Sequence, residues 1–294
     1  MKNSVEKLSI SIVNYNAGEH ILNCLNSLEH STGGIELDIW IVDNNSEDES
    51  VEKIRKHFPG VHITSNKENV GFGKAHNQNL RKIKTELILI LNPDTVVLPG
   101  TIDFMVQFMK NNMEVGAATC RIEKSNGSLD EASHRGFPTP WASFLYYFLK
   151  NDSLYHLTKK DMNKAHEVDA ISGAFFLTRK KVLDEVGLFD EDFFLYAEDI
   201  DLCFRIKQAG FKIMYIPDVK AVHLKGISSG IKSATFRISA ATSESRSRAF
   251  NSFYSTMLLF YKKHLEQSYP FFINWLVYAG IRLKWWLAKR KLVV

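Results

Sequence analysis

Asn92-Pro93-Asp94 follows five consecutive aliphatics, Leu87 to Leu91, and this junction is the first place where residue types and spacing suggest chemistry. Such a run is short for a helix and reads as a strand buried on both faces. Parallel sheets place ligands beyond the carboxyl ends of their strands, so Asp94 would face that crevice, where a hard divalent cation carrying phosphate oxygens takes a carboxylate. An isolated Asn-Pro-Asp is more often a capped turn, here one entering the helix after Pro99, so the motif needs partners. A second acidic group lies downstream. Tyr196-Ala-Glu-Asp-Ile-Asp201 puts Glu198, Asp199 and Asp201 at the start of a helix. The macrodipole accounts for one of these carboxylates, not for three beside a tyrosine. One of them, held ionised next to aromatics, has the chemistry of a general base. His223, after a later strand, reads by itself as a satisfied structural histidine.

These groups need a frame. Leu8 to Asn14 alternates and turns at Tyr15-Asn16-Ala17-Gly18, and Ile21, Leu22, Leu25 and Leu28 follow at helical spacing. Glu36 to Asp43 repeats the pattern, with Asn44-Asn45 as the turn and Ser46 to Glu49 reading as a capping box for the next helix. Val61 to Ser65 is a third strand, followed by Asn69-Val-Gly-Phe-Gly73 and a helix from Lys74 to Lys84, and Glu86 to Leu91 is the fourth. The alternation predicts an α/β fold, a parallel sheet with helices on both faces. Asn14-Tyr15-Asn16, Asp43-Asn44-Asn45 and Asn92-Pro93-Asp94 should then converge at one edge. None is a Gly-x-Gly-x-x-Gly turn, which argues against nicotinamide binding.

Beyond the strand Val115 to Cys120, residues 121–135 read as a loop. An aromatic stretch (136–149) and a polar one (151–167) read as an insertion over a site, a contact between two copies of the chain, or a plain helical pair. Val168 to Thr178 resumes strand character, with Gly173 leaving room for a close approach to the backbone. Arg179 to Val186 is a helix ended by Gly187. Phe211 to Ile216 is a further strand, and Ala221 to Gly226 follows it.

The composition is ordinary for a globular protein: 294 residues, 45% hydrophobic and 24% charged. Cys24, Cys120 and Cys203 lie far apart with no Cys-x-x-Cys pair, which argues against a structural zinc and a disulfide framework and fits a reducing cytoplasm. The polar start, Met1 to Lys7, is not that of an export signal. Net charge is +4, yet from Glu244 onward nine Lys or Arg face two acids, which puts +7 there and leaves −3 on the first 243 residues. This tail combines Trp275, Tyr278, Trp285 and Trp286 with Lys284, Lys289, Arg290 and Lys291. Its longest uncharged stretch, Gln267 to Ile281, falls short of the roughly 20 apolar residues a bilayer span needs. Aromatics beside basic residues suit an amphipathic segment lying on an anionic membrane surface. No nucleic-acid reading motif accompanies the charge.

Ile12-Val-Asn-Tyr-Asn16, Ile41-Val-Asp-Asn-Asn-Ser46, Asn69-Val-Gly-Phe-Gly-Lys-Ala-His-Asn77, Leu91-Asn-Pro-Asp94, Ser172-Gly-Ala174 and Tyr196-Ala-Glu-Asp-Ile-Asp201 occur in this order. Taken together, they resemble a family 2 inverting glycosyltransferase of the GT-A fold, and most closely the bacterial rhamnosyltransferases of polysaccharide assembly, over about residues 8 to 230. The resemblance implies a GT-A catalytic domain over 1–245, a Rossmann-like and mostly parallel sheet, carrying the insertion at 136–167. Residues 246–294 would be a basic, aromatic, helical membrane-associating extension.

Site roles also follow from the resemblance. Tyr15 would stack on the nucleobase and Asp43 would accept from its ring nitrogen, while Asn45, Asn69, Gly71 and Asn92 would line the nucleotide cleft. Asn92 stands where such enzymes carry the first acid of an Asp-x-Asp motif, leaving Asp94, with His223, to hold Mg²⁺ or Mn²⁺. Asp199 would be the base and Glu198 would help to place the acceptor. The donor would be a nucleotide sugar, dTDP-rhamnose first and a UDP-sugar second. The acceptor would be a lipid-linked glycan, reached from the cytoplasmic face of the plasma membrane. A sugar nucleotidyltransferase would show a glycine-rich phosphate loop that Asn14 to Gly18 lacks. An inactive nucleotide-binding membrane module would have lost Asp94 or Asp199, and both are present.

Overall fold

The computed structural model describes residues 6–224 and 243–292; Lys225, Gly226 and the first five residues of the polar start lie outside them. The first half alternates as its sequence periods require. It runs β1 (Lys7–Asn14), α1 (Glu19–Glu29), β2 (Glu36–Asp43), α2 (Ser50–His57), β3 (His62–Ser65), α3 (Phe72–Leu80), β4 (Leu87–Leu91), β5 (Thr95–Val97), α4 (Thr101–Asn111) and β6 (Val115–Lys124). There follow β7 (His134–Arg135), α5 (Pro140–Phe148), β8 (His166–Glu167), β9 (Ala170–Ile171), β10 (Phe176–Arg179), α6 (Lys180–Val186), α7 (Glu198–Gln208) and β11 (Lys212–His223). The tail forms α8 (Ser243–Phe260) and α9 (Phe271–Leu292), joined by a π-turn at Tyr261–Leu265 and a short 3₁₀ turn.

The main sheet runs β3-β2-β1-β4-β10-β6-β11-β5, with β8 added on β11. β1 pairs in parallel with both β2 and β4, so the carboxyl ends of these three strands share one edge. β1 is buried on both faces, and its inward serines are satisfied by Asp38 and His76. One apolar layer, including Ile21, Leu25, Ile102 and Met105, covers one face; Leu80, Val182, Leu183, Leu202 and Ile206 cover the other. At about 25 cal/mol per Å² of apolar surface removed from water, these two layers are the main stabilising term.

Several local expectations give way to tertiary contacts. The strand expected over 168–178 is two strands. β9 pairs with β7 in a separate two-stranded ribbon, and β10 enters the main sheet antiparallel to β4 and β6. At the break, a Cβ on Gly173 would lie 2.8 Å from the Phe72 ring and 3.3 Å from Asn92 Oδ1, so the room left there is used. The capping box at Ser46–Glu49 does not form. α2 starts at Ser50 with no side-chain cap from Glu49, and Asp48 instead accepts from the backbone N–H of Ser50 (3.1 Å) and of Gly18 (2.8 Å). β11 continues to His223 instead of ending at Ile216, with a register shift between Ile216 and Lys220 that accommodates Pro217.

The segment 136–167 is tied into this body. β8 at its end pairs with β11, the Tyr215 hydroxyl donates to the Met162 carbonyl (3.1 Å), and within the segment the N–H of Gly136 donates to the Tyr155 carbonyl (2.9 Å). A Cβ on Gly136 would stand 2.1 Å from the Leu154 carbonyl oxygen, so only glycine permits this approach. The tail is not a free appendage either. Phe260, Tyr261 and Leu265 belong to the second apolar layer, His264 Nε2 meets Asp201 Oδ1 at 2.6 Å, and Lys263 pairs with Asp190 and Asp192. No helix among the described residues is long and apolar enough to cross a membrane.

Candidate active site

The three turns at the carboxyl edge do converge. The N–H of Asn44 donates to the Asn14 carbonyl (2.8 Å), and Asn14 Nδ2 donates to Asp43 Oδ1 (2.8 Å) and to the Ser50 hydroxyl (2.8 Å). Asp43 is buried, and its Oδ2 accepts from the N–H of Ser46 (3.2 Å). Tyr15 stands half-buried beside it. Asn44, not singled out from sequence, is the hub of this corner. Its Nδ2 donates to Asn69 Oδ1 (2.8 Å) and the Gly71 carbonyl (3.3 Å), and its Oδ1 accepts from Asn66 Nδ2 and the N–H of Val70. Asn69 is thereby a loop-shaping residue. Gly71, at φ 92°, has Phe194 pressed so close that a Cβ would meet its carbonyl oxygen at 2.6 Å. Asn45 does not join the group: it is exposed, with left-handed backbone at φ 67°.

The second corner forms around Asp94. β11 pairs antiparallel with β5 so that His223 faces Thr95, and the N–H of Leu224 donates to the Asp94 carbonyl (3.0 Å). His223 Nε2 lies 3.0 Å from Asp94 Oδ1 and 3.4 Å from Asn92 Nδ2, while its Nδ1 faces Asp130 Oδ2 at 3.4 Å. Burial alone would push the imidazole down, but Asp94 and Asp130 outweigh it and carry the pKa up to about 9. Burial likewise works to raise Asp94, and His223 overcomes it, holding the carboxyl below its usual range. Asp130 was not legible beforehand; it plays the carboxylate behind a ligand histidine, fixing the ring.

This donor set would suit a divalent cation once His223 Nε2 gives up the proton it shares with Asp94. Neighbouring ligands around Mg²⁺ at about 2.1 Å stand about 3 Å apart, the Nε2 to Oδ1 separation found here. Among the described residues no three His, Cys, Asp or Glu side chains gather at one point, because Asp130 holds the opposite ring nitrogen. Asp94 and His223 are the two side chains that would hold such a cation here.

The third corner is the start of α7. Tyr196 (φ 72°) and Ala197 (φ 64°) are both left-handed without being glycine, a conformation costing on the order of 1 kcal/mol or more each. The helix therefore opens abruptly, and no side chain caps it. The three acids divide. Asp201 is structural: its Oδ2 accepts from Arg205 Nε (2.9 Å) and Nη2 (2.6 Å), while its Oδ1 holds His264. Glu198 is only 6% exposed, and its Oε2 has no polar partner among the described residues. Burial and then neighbouring Asp199 push the Glu198 carboxyl well above the usual range. Burial also raises Asp199, but the guanidinium of Arg135, 3.9 Å from Asp199 Oδ2, opposes it. Burial and mutual repulsion thus raise both carboxyls against the pull of Arg135, the environment in which one acid of a pair serves as base and the other as hydrogen-bond donor.

Arg135 was hidden in a stretch read as loop. It sits on β7 opposite Ala170, with Nη2 donating to the Ala132 carbonyl (2.8 Å) and Nη1 to the Tyr155 hydroxyl (3.3 Å). Asp130 and Arg135 flank one short 3₁₀ turn, Glu131–Ser133. A single segment thus touches His223 at one end and Asp199 at the other.

A mixed α/β sheet with polar residues gathered at the carboxyl ends of its parallel strands, an Asp–His corner and a buried acid pair is an arrangement of the GT-A fold. The chain matches the model of the family described as "Glycosyltransferase like family 2" over residues 6–248, and it belongs to that family. Escherichia coli rhamnosyltransferase WbbL is 27% identical over 192 residues, 62% of this chain and 71% of the relative. A Mycobacterium tuberculosis N-acetylglucosaminyl-diphospho-decaprenol L-rhamnosyltransferase is 26% identical over 240 residues, covering 76% and 78%. Among solved structures, S. aureus TarS 1-349 in complex with UDP-GlcNAc superposes with TM-score 0.57 at 17% identity, covering 87% of this chain and 73% of that one. GalNAc-T7 with UDP, GalNAc and Mn²⁺ gives the same TM-score and identity over 76% of this chain, which spans only 45% of that protein. At such identities the structural matches establish the fold alone.

Proposed function

We propose that this glycosyltransferase moves rhamnose from dTDP-rhamnose to a hydroxyl of a lipid-linked glycan, inverting the anomeric centre in one displacement. The observation that carries this reading is the turn from Asp130 to Arg135, which tethers the diphosphate-binding corner and the base to one another. Asp199 takes the proton of the acceptor hydroxyl as that oxygen attacks the anomeric carbon. The bond from that carbon to the diphosphate oxygen breaks on the opposite face, and the diphosphate leaves with the electron pair. Glu198, protonated, donates a hydrogen bond that helps to place the acceptor. Asp94 and His223 would hold Mg²⁺ or Mn²⁺, which when bound neutralises charge developing on the diphosphate. Tyr15 and Asp43 receive the nucleobase, with Asn69, Gly71 and Asn92 lining the cleft. Rhamnose is favoured by the two relatives named above. An N-acetylglucosamine donor, as a UDP-sugar, is the second reading, because a Staphylococcus epidermidis poly-beta-1,6-N-acetyl-D-glucosamine synthase, of which this chain spans 48%, is also 26% identical over 223 residues. Donor hydrolysis and transfer across a panel of dTDP- and UDP-sugars decide between them: turnover of dTDP-rhamnose above all others supports the proposal, and turnover of a UDP-sugar alone overturns the rhamnose assignment.

The acceptor reading extends to the tail, which we place on the anionic inner face of the plasma membrane. On α9, Phe272, Trp275, Leu276, Leu283, Trp286 and Leu287 form one exposed stripe at helical spacing, with Trp275 68% exposed. Lys289 and Arg290 sit at its end, and Arg290 covers the Trp286 ring. Tyr278 and Trp285, expected at headgroup depth, turn inward to pack on Tyr261 and Tyr254. The side chain of Lys291 lies outside the described residues. α5 adds Trp141, Phe144 and Phe148, a second exposed stripe of stacked rings. Sedimentation with phosphatidylglycerol vesicles at low salt, reversed at high salt, is the expected result; equal recovery in the supernatant throughout would remove the membrane from the reading.

A further inference from the structure

Where α5 and α9 meet, Tyr146, Tyr147, Lys150, Asp152 and Lys284 line a cavity of about 310 Å³ that none of the roles above uses. Lys284 lies over the Tyr147 ring, and neither Lys284 nor Lys150 is in an ion pair with any described residue. Asp152, the one acid in the lining, is occupied: its Oδ1 accepts from the Thr158 hydroxyl (3.0 Å), and Oδ2 faces His156 at 3.7 Å. Two ammonium groups and two phenols therefore surround a space with a net positive charge. Burial, and then the charge of Lys150, push the Lys284 pKa down to about 8.

The cavity has two neighbours. On one side are the exposed apolar stripes of α5 and α9. On the other a chain of contacts leads to the base: the Tyr146 ring packs 5.4 Å from that of Tyr155, whose hydroxyl accepts from Arg135, which faces Asp199. We propose that this cavity binds the phosphate groups of the lipid-linked acceptor, with Lys150 and Lys284 as cationic ligands. The lipid would then run along the apolar stripes while the sugar end reaches Asp199. Charge-assisted hydrogen bonds from lysine are strong enough to anchor such a group, and the tyrosine hydroxyls supply further donors. The inference rests on the acceptor named under the proposed function.

The test is a binding measurement that needs no turnover. The full-length protein, its nucleotide cleft filled with dTDP, is titrated with a soluble short-chain polyprenyl-diphosphate N-acetylglucosamine. Wild type should bind; the Lys150→Met/Lys284→Met double variant should bind about tenfold or more weakly with dTDP affinity unchanged. Lys150→Arg/Lys284→Arg should retain binding. Failure of wild type to bind the probe, or equal binding by the methionine variant, overturns the proposal. Displacement of the probe from wild type by phosphatidylglycerol vesicles also overturns it, assigning the cavity to a headgroup instead. A missing nucleotide-sugar activity in the donor panel would sink the proposed function and leave this readout untouched.

Discussion

Replacing Arg135 with methionine removes the one cation among the described residues that faces Asp199, at 3.9 Å. Two unit charges about 4 Å apart interact by about 4 kcal/mol at an effective dielectric of about 20. That would correspond to about three pKa units at 1.36 kcal/mol each. The Asp199 side chain keeps 16% exposure, so water screens part of this, and a shift of about one to two units is the working figure. Its sign is fixed. Asp199 must be ionised to accept a proton, and without Arg135 its proton leaves at higher pH. The acidic limb of kcat/KM should therefore move up by about one to two pH units, with the lost activity recovering as pH rises. The other titratable groups facing Asp199, Glu198 and Cys203, remain in the variant. Arg135→Lys should restore most of the limb. pH–rate profiles of wild type and both variants supply the measurement, and a methionine variant that loses activity equally at every pH would refute the electrostatic reasoning.

Three further outcomes follow from the geometry. Glu198→Gln should raise Tm by about 2 °C or more at pH 8. The folded-state pKa of Glu198 lies above its unfolded value, so its ionisation destabilises the fold as pH rises, and the gain should vanish near pH 4; a scan of Tm against pH checks both. Under the proposed cation role, Asp130→Asn should raise the Mg²⁺ or Mn²⁺ concentration for half-maximal activity about tenfold or more, read by titration; an unchanged midpoint would mean His223 needs no carboxylate behind it. Gly136→Ala should cost about 1–3 kcal/mol in denaturant unfolding, because its Cβ would collide with the Leu154 carbonyl.

The strand and helix periods made the first four strands and the convergence of their turns readable, since a parallel sheet leaves the turns little choice of edge. The placement of Asp94, Glu198 and Asp199 is readable for the same reason: Asp94 closes the turn after β4, and the other two open α7. Asp130 and Arg135 were not. They flank a 3₁₀ turn in a polar stretch without period, and what gives them function is long-range pairing, with Asp130 brought to His223 across 93 positions by the β6–β11 ladder. Asn44 carries no such signal, because its side chain acts on the Asn66 amide and on backbone 26 and 27 residues away. The bend of β11 past Pro217 and the antiparallel entry of β10 are tertiary decisions that override local propensity. The tail's aromatics could be counted but not sorted, because which rings face α8 depends on how α9 docks.

The account stands most directly on Asp199, so the decisive measurement is single-turnover transfer by Asp199→Asn alongside its affinity for dTDP. An amide keeps the shape of the carboxylate and cannot take a proton. Transfer should fall by about two to four orders of magnitude with dTDP affinity nearly unchanged. Transfer at the wild-type rate would contradict the account and pass the role of base to Glu198.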